Sequence, residues 1–342
     1  MLFPHLVLGG GETAMMEVAA GLRDAFEITV CALDRRRLTV ERSARGELLA
    51  RFGEVTFVRE PDELRAALAP AEALLWYGMN PFTPSVLESI QRRPASIRVV
   101  HTGKDEEGPI YHETWKHCID AVVCVSPEMQ RRIPGSVFLP NIASPARLRG
   151  EAGDFFAKDR KTLGYLGRLF HFKNVPWLID HLEELDCNLL IQGIDTEELT
   201  RANLEERARN RGVAGRVHFL EPGPEVGTLL RSVDALAIVS QQEGFPMVAV
   251  EAGLLGVPVI ATRVGALPEV FGDEIAFVNP EGENPSVSSM REALATIGPA
   301  LGARFREKVR RVCDPETVVA RYAALLRERI EERRRACAPS AC

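Results

Sequence analysis

Two glutamates in the second half of the chain, Glu243 and Glu251, are separated by seven residues in the run Ser240-Gln241-Gln242-Glu243-Gly244-Phe245-Pro246-Met247-Val248-Ala249-Val250-Glu251-Ala252. The apolar stretch ALAIVS (235–240) reads as a strand that ends at Ser240. A loop follows, and Pro246 fits the first helical position, where its missing N–H costs nothing. The helix is expected to run to Leu255, with Gly256 as its cap. Glu243 then stands on the loop and Glu251 in the second helical turn. The free amides at the helix start, from Phe245 to Val248, form an anion site suited to a diphosphate. A carboxylate such as Glu251 can accept two hydrogen bonds from the vicinal hydroxyls of a ribose.

Such groups need a scaffold, and the pattern of the chain supplies one. Short apolar runs alternate with amphipathic stretches, as in βαβ units around a parallel sheet. In the first half the expected strands are HLVLG (5–9), EITVCAL (27–33), VTFV (55–58), ALLWY (73–77), IRVVH (97–101) and AVVCV (121–125), with VFLPN (137–141) closing the series. Helices are expected around 12–24, 62–69, 84–91 and 127–132. In the second half the expected strands are LGYLG (163–167), NLLIQG (188–193), VHFLE (217–221), ALAIVS, PVIAT (258–262) and IAFVN (275–279). The division is therefore an N-terminal Rossmann-like domain over 1–145, a polar linker over 146–160, and a C-terminal Rossmann-like domain over 161–314. A terminal helix and tail over 315–342 opens at Asp314-Pro315 and is expected to pack back on the first domain. Two doubly wound domains in sequence suggest a ligand in the cleft between them, at the carboxyl ends of the strands.

Gly9-Gly10-Gly11 follows a strand and precedes a helix, so backbone there can approach a phosphate closely. Read literally, GGGETA also matches the dinucleotide fingerprint, with Asp34 at the distance of a ribose-binding acid. A second function class stays open on this ground: an NAD(P)-dependent oxidoreductase using the Gly9–Gly11 loop. A plain glycine turn that packs strand against helix is a third reading of the same motif. The oxidoreductase reading leaves Arg168, Lys173, Glu243 and Glu251 without a role, and Arg35-Arg36-Arg37 after Asp34 suits an NAD ribose poorly.

Composition narrows the classes further. Against 42 Lys and Arg stand 48 Asp and Glu, a formal charge of −6 that disfavours a general nucleic-acid binder. The excess of 11 basic over 6 acidic residues between 300 and 336 reads first as a solvated amphipathic helix and second as a peripheral contact with anionic lipid. The seven cysteines are scattered and lack ligand spacing, which points to reduced, buried thiols and to no metal site. No run is long enough to span a membrane, and the N-terminal apolar run has no basic residues before it, so a cytoplasmic location is expected.

The segment EGFPMVAVEA, followed by GVPVIAT and by VGALPE at 264–269, resembles the E-x7-E motif of the family 4 retaining glycosyltransferases, which have the GT-B fold of two facing Rossmann-like domains. GYLGRLFHFKN (164–174) is similar to that family's strand-loop segment with an arginine and a lysine five residues apart, here Arg168 and Lys173. The resemblance implies a metal-independent, retaining transfer of a hexose from a nucleoside-diphosphate-sugar, such as a UDP-sugar or GDP-sugar, with no cofactor. It implies Glu251 on the donor ribose, Glu243 on the transferred sugar, and Arg168 and Lys173 on the leaving diphosphate. Fixed cations and helix-terminal amides there would stabilise the developing charge in place of a metal, and the sequence holds no Asp-x-Asp. It further implies donor contacts from Gly10 and Gly11, from Leu220 and Glu221 beside the base, and from Gly244, Phe245, Pro246, Met247 and Val248. His101, at the end of its strand, would lie near the sugar, although a lone histidine is more often structural. LPNIAS (139–144) and Gly265 fit the family's order, while Ile142, Ala266 and Ile194 depart from it. The acceptor, whether glycan, lipid-linked glycan or small metabolite, is not fixed by any residue set.

Overall fold

The computed structural model of the chain describes residues 1–3, 9–33, 42–78, 82–101, 106–223 and 225–336. It divides into two units, one made of 1–142 together with 315–342, the other of 143–314.

In the first unit the strands are β1 (Leu2–Phe3), β2 (Cys31–Leu33), β3 (Thr56–Val58), β4 (Ala73–Tyr77), β5 (Ala95–Val100), β6 (Ala121–Cys124) and β7 (Val137–Phe138). They pair in parallel in the order β3-β2-β1-β4-β5-β6-β7. Parallel sheets are covered on both faces, so their strands read as unbroken apolar runs. All six residues of β5 are buried accordingly. One of them is charged: Arg98 lies with its guanidinium 4.2 Å from the Tyr111 ring centroid and 5.8 Å from that of Trp76. The expected strand 5–9 falls almost wholly outside the described residues, as do Asp34 to Arg37 and the loop 102–105. The first helix, Gly10–Leu22, starts two residues earlier than its composition suggested, so Gly10 and Gly11 lie in its first turn.

The helix Pro315–Ala336 belongs to this first unit. Its apolar stripe of Val318, Tyr322, Ala323, Leu326 and Ile330 is buried. Val319 packs so closely on the first helix that a Cβ on Gly21 would sit 2.5 Å from it. Arg333 reaches Asp120 at 2.6 Å, where Arg93 also binds at 2.7 Å, and Arg334 pairs with Glu72. Arginines that the composition left available for anionic lipid are therefore engaged by acids of the same unit. Among the described residues, no helix is long and apolar enough to cross a membrane. The five described cysteines, 31, 118, 124, 187 and 313, are free and buried.

The second unit repeats the design with β8 (Lys161–Arg168), β9 (Cys187–Ile194), β10 (Val217–Leu220), β11 (Ala235–Ile238), β12 (Val259–Ala261) and β13 (Ala276–Phe277), ordered β10-β9-β8-β11-β12-β13 and all parallel. A hairpin of β14 (Pro280–Glu281) and β15 (Asn284–Pro285) follows, which the sequence pattern did not suggest. Pro145–Leu148 forms a 3-10 turn inside the stretch read as linker, and the unit begins at Ala143. In both sheets the order reverses beside the first strand, between β1 and β4 and between β8 and β11, which is the arrangement of a doubly wound fold.

The terminal helix should contribute strongly to the first unit. Leu326→Ala is expected to cost about 2–4 kcal/mol. Urea unfolding followed by Trp76 and Trp115 fluorescence, in a Trp177→Phe background, should show an earlier midpoint; an unmoved midpoint would contradict this packing.

Candidate active site

In an open α/β sheet, ligands bind beyond the carboxyl ends of the strands where the order reverses. In the second unit that point lies between β8 and β11, and the residues singled out by spacing arrive there. Arg168 ends β8, with its guanidinium 4.9 Å from the Phe170 ring centroid. Phe170 stacks on Phe172 at 5.3 Å, and Lys173 lies 5.3 Å from the Phe172 centroid. Lys173 also donates to Glu243 Oε1 at 2.5 Å, and Ser240 Oγ donates to the same oxygen at 2.7 Å. The loop after β8 is thus tied to the loop after β11, as it is by the Gln241 amide donating to the Phe172 carbonyl at 2.8 Å.

Backbone detail holds these loops. Tyr165, buried in β8, donates its hydroxyl to the Arg168 carbonyl at 2.6 Å. Its pKa is driven upward by burial and then by the nearby Glu243 charge, so it stays a hydrogen-bond donor. Asn174 adopts the left-handed region (φ 61°) after Lys173 and donates to Asn284 of the hairpin at 3.0 Å. Gly265 has φ 54°, and a Cβ there would fall 2.3 Å from the Gly244 carbonyl oxygen. Only glycine lets this turn close on the Glu243-Gly244 loop, whose carbonyl accepts from the Ala266 amide at 2.8 Å.

The helix that carries Glu251 spans Met247–Leu255. Pro246 is its N-cap (φ −64°, ψ 115°), one position before the site expected for it, because its ψ is extended and cannot continue a helix. Proline offers no side-chain cap, so the first amides of this helix are left to other acceptors. Phe245 and Met247 turn into the core, Phe245 meeting Phe271 at 5.7 Å between centroids, and so fix where the helix begins. Gly256 closes it in the left-handed region, as expected.

Glu251 is 1% exposed. Its Oε1 accepts from Arg147 Nε at 2.6 Å, while Oε2 is buried with no hydrogen-bond partner. The structure therefore groups Arg168, Lys173 and Glu243, and places Gly244 to Val248 and Glu251 on the adjoining loop and helix. Leu220 ends β10 at the sheet's edge, and Glu221 points its carboxylate to Arg201 at 2.9 Å on the surface, while its carbonyl accepts from Gln192 at 3.3 Å.

Gly10, Gly11 and His101 lie in the first unit. The His101 ring sits edge-on to Tyr77 at 5.5 Å and 3.6 Å from the position a Gly11 Cβ would take. Both ring nitrogens are buried, and neither has a hydrogen-bond partner. Burial lowers its pKa from 6.5 to about 4, so at neutral pH it is an uncharged imidazole that can donate one bond and accept another. Elsewhere in this unit Glu88, His117 and Cys118 bring ligand-type atoms within 4.8 Å of one another. His117 and Glu88 are already bonded at 2.6 Å and the Cys118 thiol turns to the Pro84 carbonyl.

Sequence spacing passed over Arg147, Tyr165 and Ser240. Tyr165 sits in a run of strand residues, and Arg147 in a stretch without periodicity. The signal available for Arg147 was Ser144-Pro145, a cap and first-turn pair that starts a helical turn: Ser144 Oγ accepts from the Ala146 amide at 3.1 Å.

The buried imidazole predicts an acid sensitivity. The unfolded chain takes up a proton at His101 below about 6.5, and the folded chain resists it down to about 4, so stability is lost as pH falls through this window. The loss reaches up to about 3 kcal/mol by pH 4. His101→Asn should flatten the decline of the urea midpoint between pH 6.5 and 4.5; an unchanged slope would place the imidazole in water.

Residues 152–298 match the family model described as glycosyl transferases group 1. D-inositol 3-phosphate glycosyltransferase of Corynebacterium glutamicum is 30% identical over 215 residues, covering 59% of this chain and 49% of the relative. N-acetyl-alpha-D-glucosaminyl L-malate synthase of Bacillus anthracis is 32% identical over 147 residues, covering 42% and 38%. The chain thus spans about half the length, or less, of these relatives. In structure it is similar to Anabaena HepE, solved with UDP and glucose, at TM-score 0.76 and 16% identity, covering 96% of this chain and 98% of that one. That likeness concerns the fold, which is of the GT-B type, with two parallel-sheet α/β units and a helical C-terminal segment. The match to the group 1 glycosyltransferases thus lies over residues 152–298, the stretch that holds both loops of the site and the helix that carries Glu251.

Proposed function

We propose that the chain is a retaining, metal-independent glycosyltransferase that moves a hexose from a nucleoside-diphosphate-sugar to a hydroxyl-bearing acceptor. The observation that carries the reading is the assembly at the β8/β11 reversal point: Arg168, the Lys173–Glu243 pair and the buried, half-satisfied Glu251 beside an uncapped helix N-terminus. This is the complement of a donor's parts. The Oε2 atom of Glu251 accepts from ribose, the amides of the helix start and the two cations hold the diphosphate, and Glu243 accepts from the sugar. UDP is the first base to test, since HepE was solved with it.

In the transfer, an acceptor oxygen forms a bond to the anomeric carbon on the face that the leaving group occupies. The bond from that carbon to the β-phosphate oxygen breaks, and the acceptor proton passes to a phosphate oxygen of the leaving diphosphate. Negative charge grows on that phosphate, and Arg168 and Lys173 stabilise it. Lys173 has three donors and spends one on Glu243, which leaves its ammonium aimed while still able to bond phosphate. A nucleotide-sugar donor also suits a cytoplasmic enzyme with buried, reduced thiols.

The test is a thermal-shift panel in EDTA with UDP, GDP, ADP, NAD and NADP. A nucleoside diphosphate at about a hundred times its Kd should add about 2.7 kcal/mol of apparent stability without metal. Stabilisation by NAD or NADP alone, or by a diphosphate only when metal is restored, would overturn the corresponding part of the proposal. With a donor in hand, Arg168→Ala should lower kcat by about a hundredfold or more. Nuclear magnetic resonance of the product should report the anomeric configuration of the donor; an inverted product would refute retention.

A further inference from the structure

We propose that Arg147 is a positioning residue for the nucleotide: by holding one oxygen of Glu251, it leaves the other as the group that distinguishes ribose from deoxyribose. The inference rests on the donor reading above and adds to it the residue that sets the sugar preference of the nucleotide.

A carboxylate as buried as Glu251 is unstable as an anion without a compensating charge. Arg147, itself 13% exposed, supplies that charge through Nε to Oε1 at 2.6 Å. An arginine facing a carboxylate commonly engages both oxygens with its planar fork. Here Oε2 is buried and has no partner. The pair thus orders the carboxylate, with one acceptor atom left over.

The placement of Arg147 is itself built in. Its carbonyl accepts from the Val226 amide at 2.8 Å, and the neighbouring Leu148 carbonyl accepts from Arg231 at 3.4 Å. The turn lies so close to the start of the helix Gly227–Arg231 that a Cβ on Gly227 would fall 2.2 Å from the Arg149 carbonyl oxygen and 2.3 Å from that of Leu148. A turn packed this tightly fixes the origin of the arginine side chain. A nucleotide that lacks the hydroxyl facing Oε2 leaves that oxygen buried and unpaired, which is the costly state for a polar atom.

The experiment is calorimetric titration of the full chain with UDP, 2′-deoxy-UDP and 3′-deoxy-UDP, using wild type, Arg147→Met and Arg147→Lys, with GDP or ADP and their deoxy forms substituted if the panel names another base. Wild type should bind the ribonucleotide about tenfold or more tighter than at least one deoxy form. Arg147→Met should bring that ratio to within about threefold, chiefly by weakening the ribonucleotide, because the released carboxylate protonates or turns away. Arg147→Lys keeps the charge without the planar donor and should give an intermediate ratio; it serves as the test if the methionine variant fails to fold. A ratio that stays at the wild-type value, or equal weakening of all three ligands, would overturn the positioning role. Wild type binding no nucleoside diphosphate would instead defeat the donor reading itself. Wild type binding all three equally would leave that reading standing and remove this inference.

Discussion

The cost of burying a negative charge organises the second unit. Glu251 at this depth meets the opposite charge of Arg147, and Arg147 reaches it from the turn Pro145–Leu148, which is pressed against the helix that starts at Gly227. That close approach permits no side chain at position 227. One carboxylate thereby constrains the entry of the chain into the unit, a glycine some 80 residues further on, and the start of its own helix. The apolar core supplies cohesion, but these polar and steric demands fix the relative positions of segments that would otherwise have many acceptable packings.

The remaining charges of the site are compensated in a different way. Lys173 and Glu243 neutralise one another across two loops and are less deeply buried than Glu251, so their pairing can be shared with an incoming anion at modest cost. Arg168 rests over an aromatic face. A guanidinium held by a ring keeps all its N–H groups for other acceptors, which a carboxylate partner would not allow. His101 in the first unit follows a third course and sheds its charge altogether. The presence of a counter-charge separates the outcomes: Glu243 and Glu251 each face a cation of their own unit, and the His101 imidazole, with no partner on either nitrogen, is neutral.

Much of this was legible in the residues because the governing rules are local. ALLWY at 73–77 and the helix at 127–132 agree with the apolar runs residue for residue, since strand and helix periods act over a few positions. Arg168, Lys173 and Glu243 stood out because each lies at a strand end or in the loop after it, where side chains reach a mouth, and Glu251 because of its spacing from Glu243. Arg147 could not be found by the same means. It is 104 residues from its partner, in a segment with neither helical nor strand period, and its importance arises only when the fold brings the turn under the helix. Tyr165 was hidden for the opposite reason, since a strand-interior aromatic looks like core until its hydroxyl is seen on the Arg168 carbonyl. The hairpin 280–285 carries proline and glycine signals that mark a loop as readily as two short strands. Pro246 missed its expected position by one residue because both N-cap and first-turn placements fit its φ, and only ψ separates them.

The membership of the helix Pro315–Ala336 in the first unit bears on how the protein is made. The stretch 143–314 is continuous, so it can fold as soon as it leaves the ribosome, since domains generally fold as units during synthesis. The earlier stretch must wait. Until residues beyond 315 emerge, the surface around Gly21 and the strands β4 and β5 lacks the apolar stripe that covers it, and Asp120 and Glu72 lack two of their arginines. The part synthesised first is thus completed last, and during that interval an exposed sheet face is the segment most in need of a chaperone.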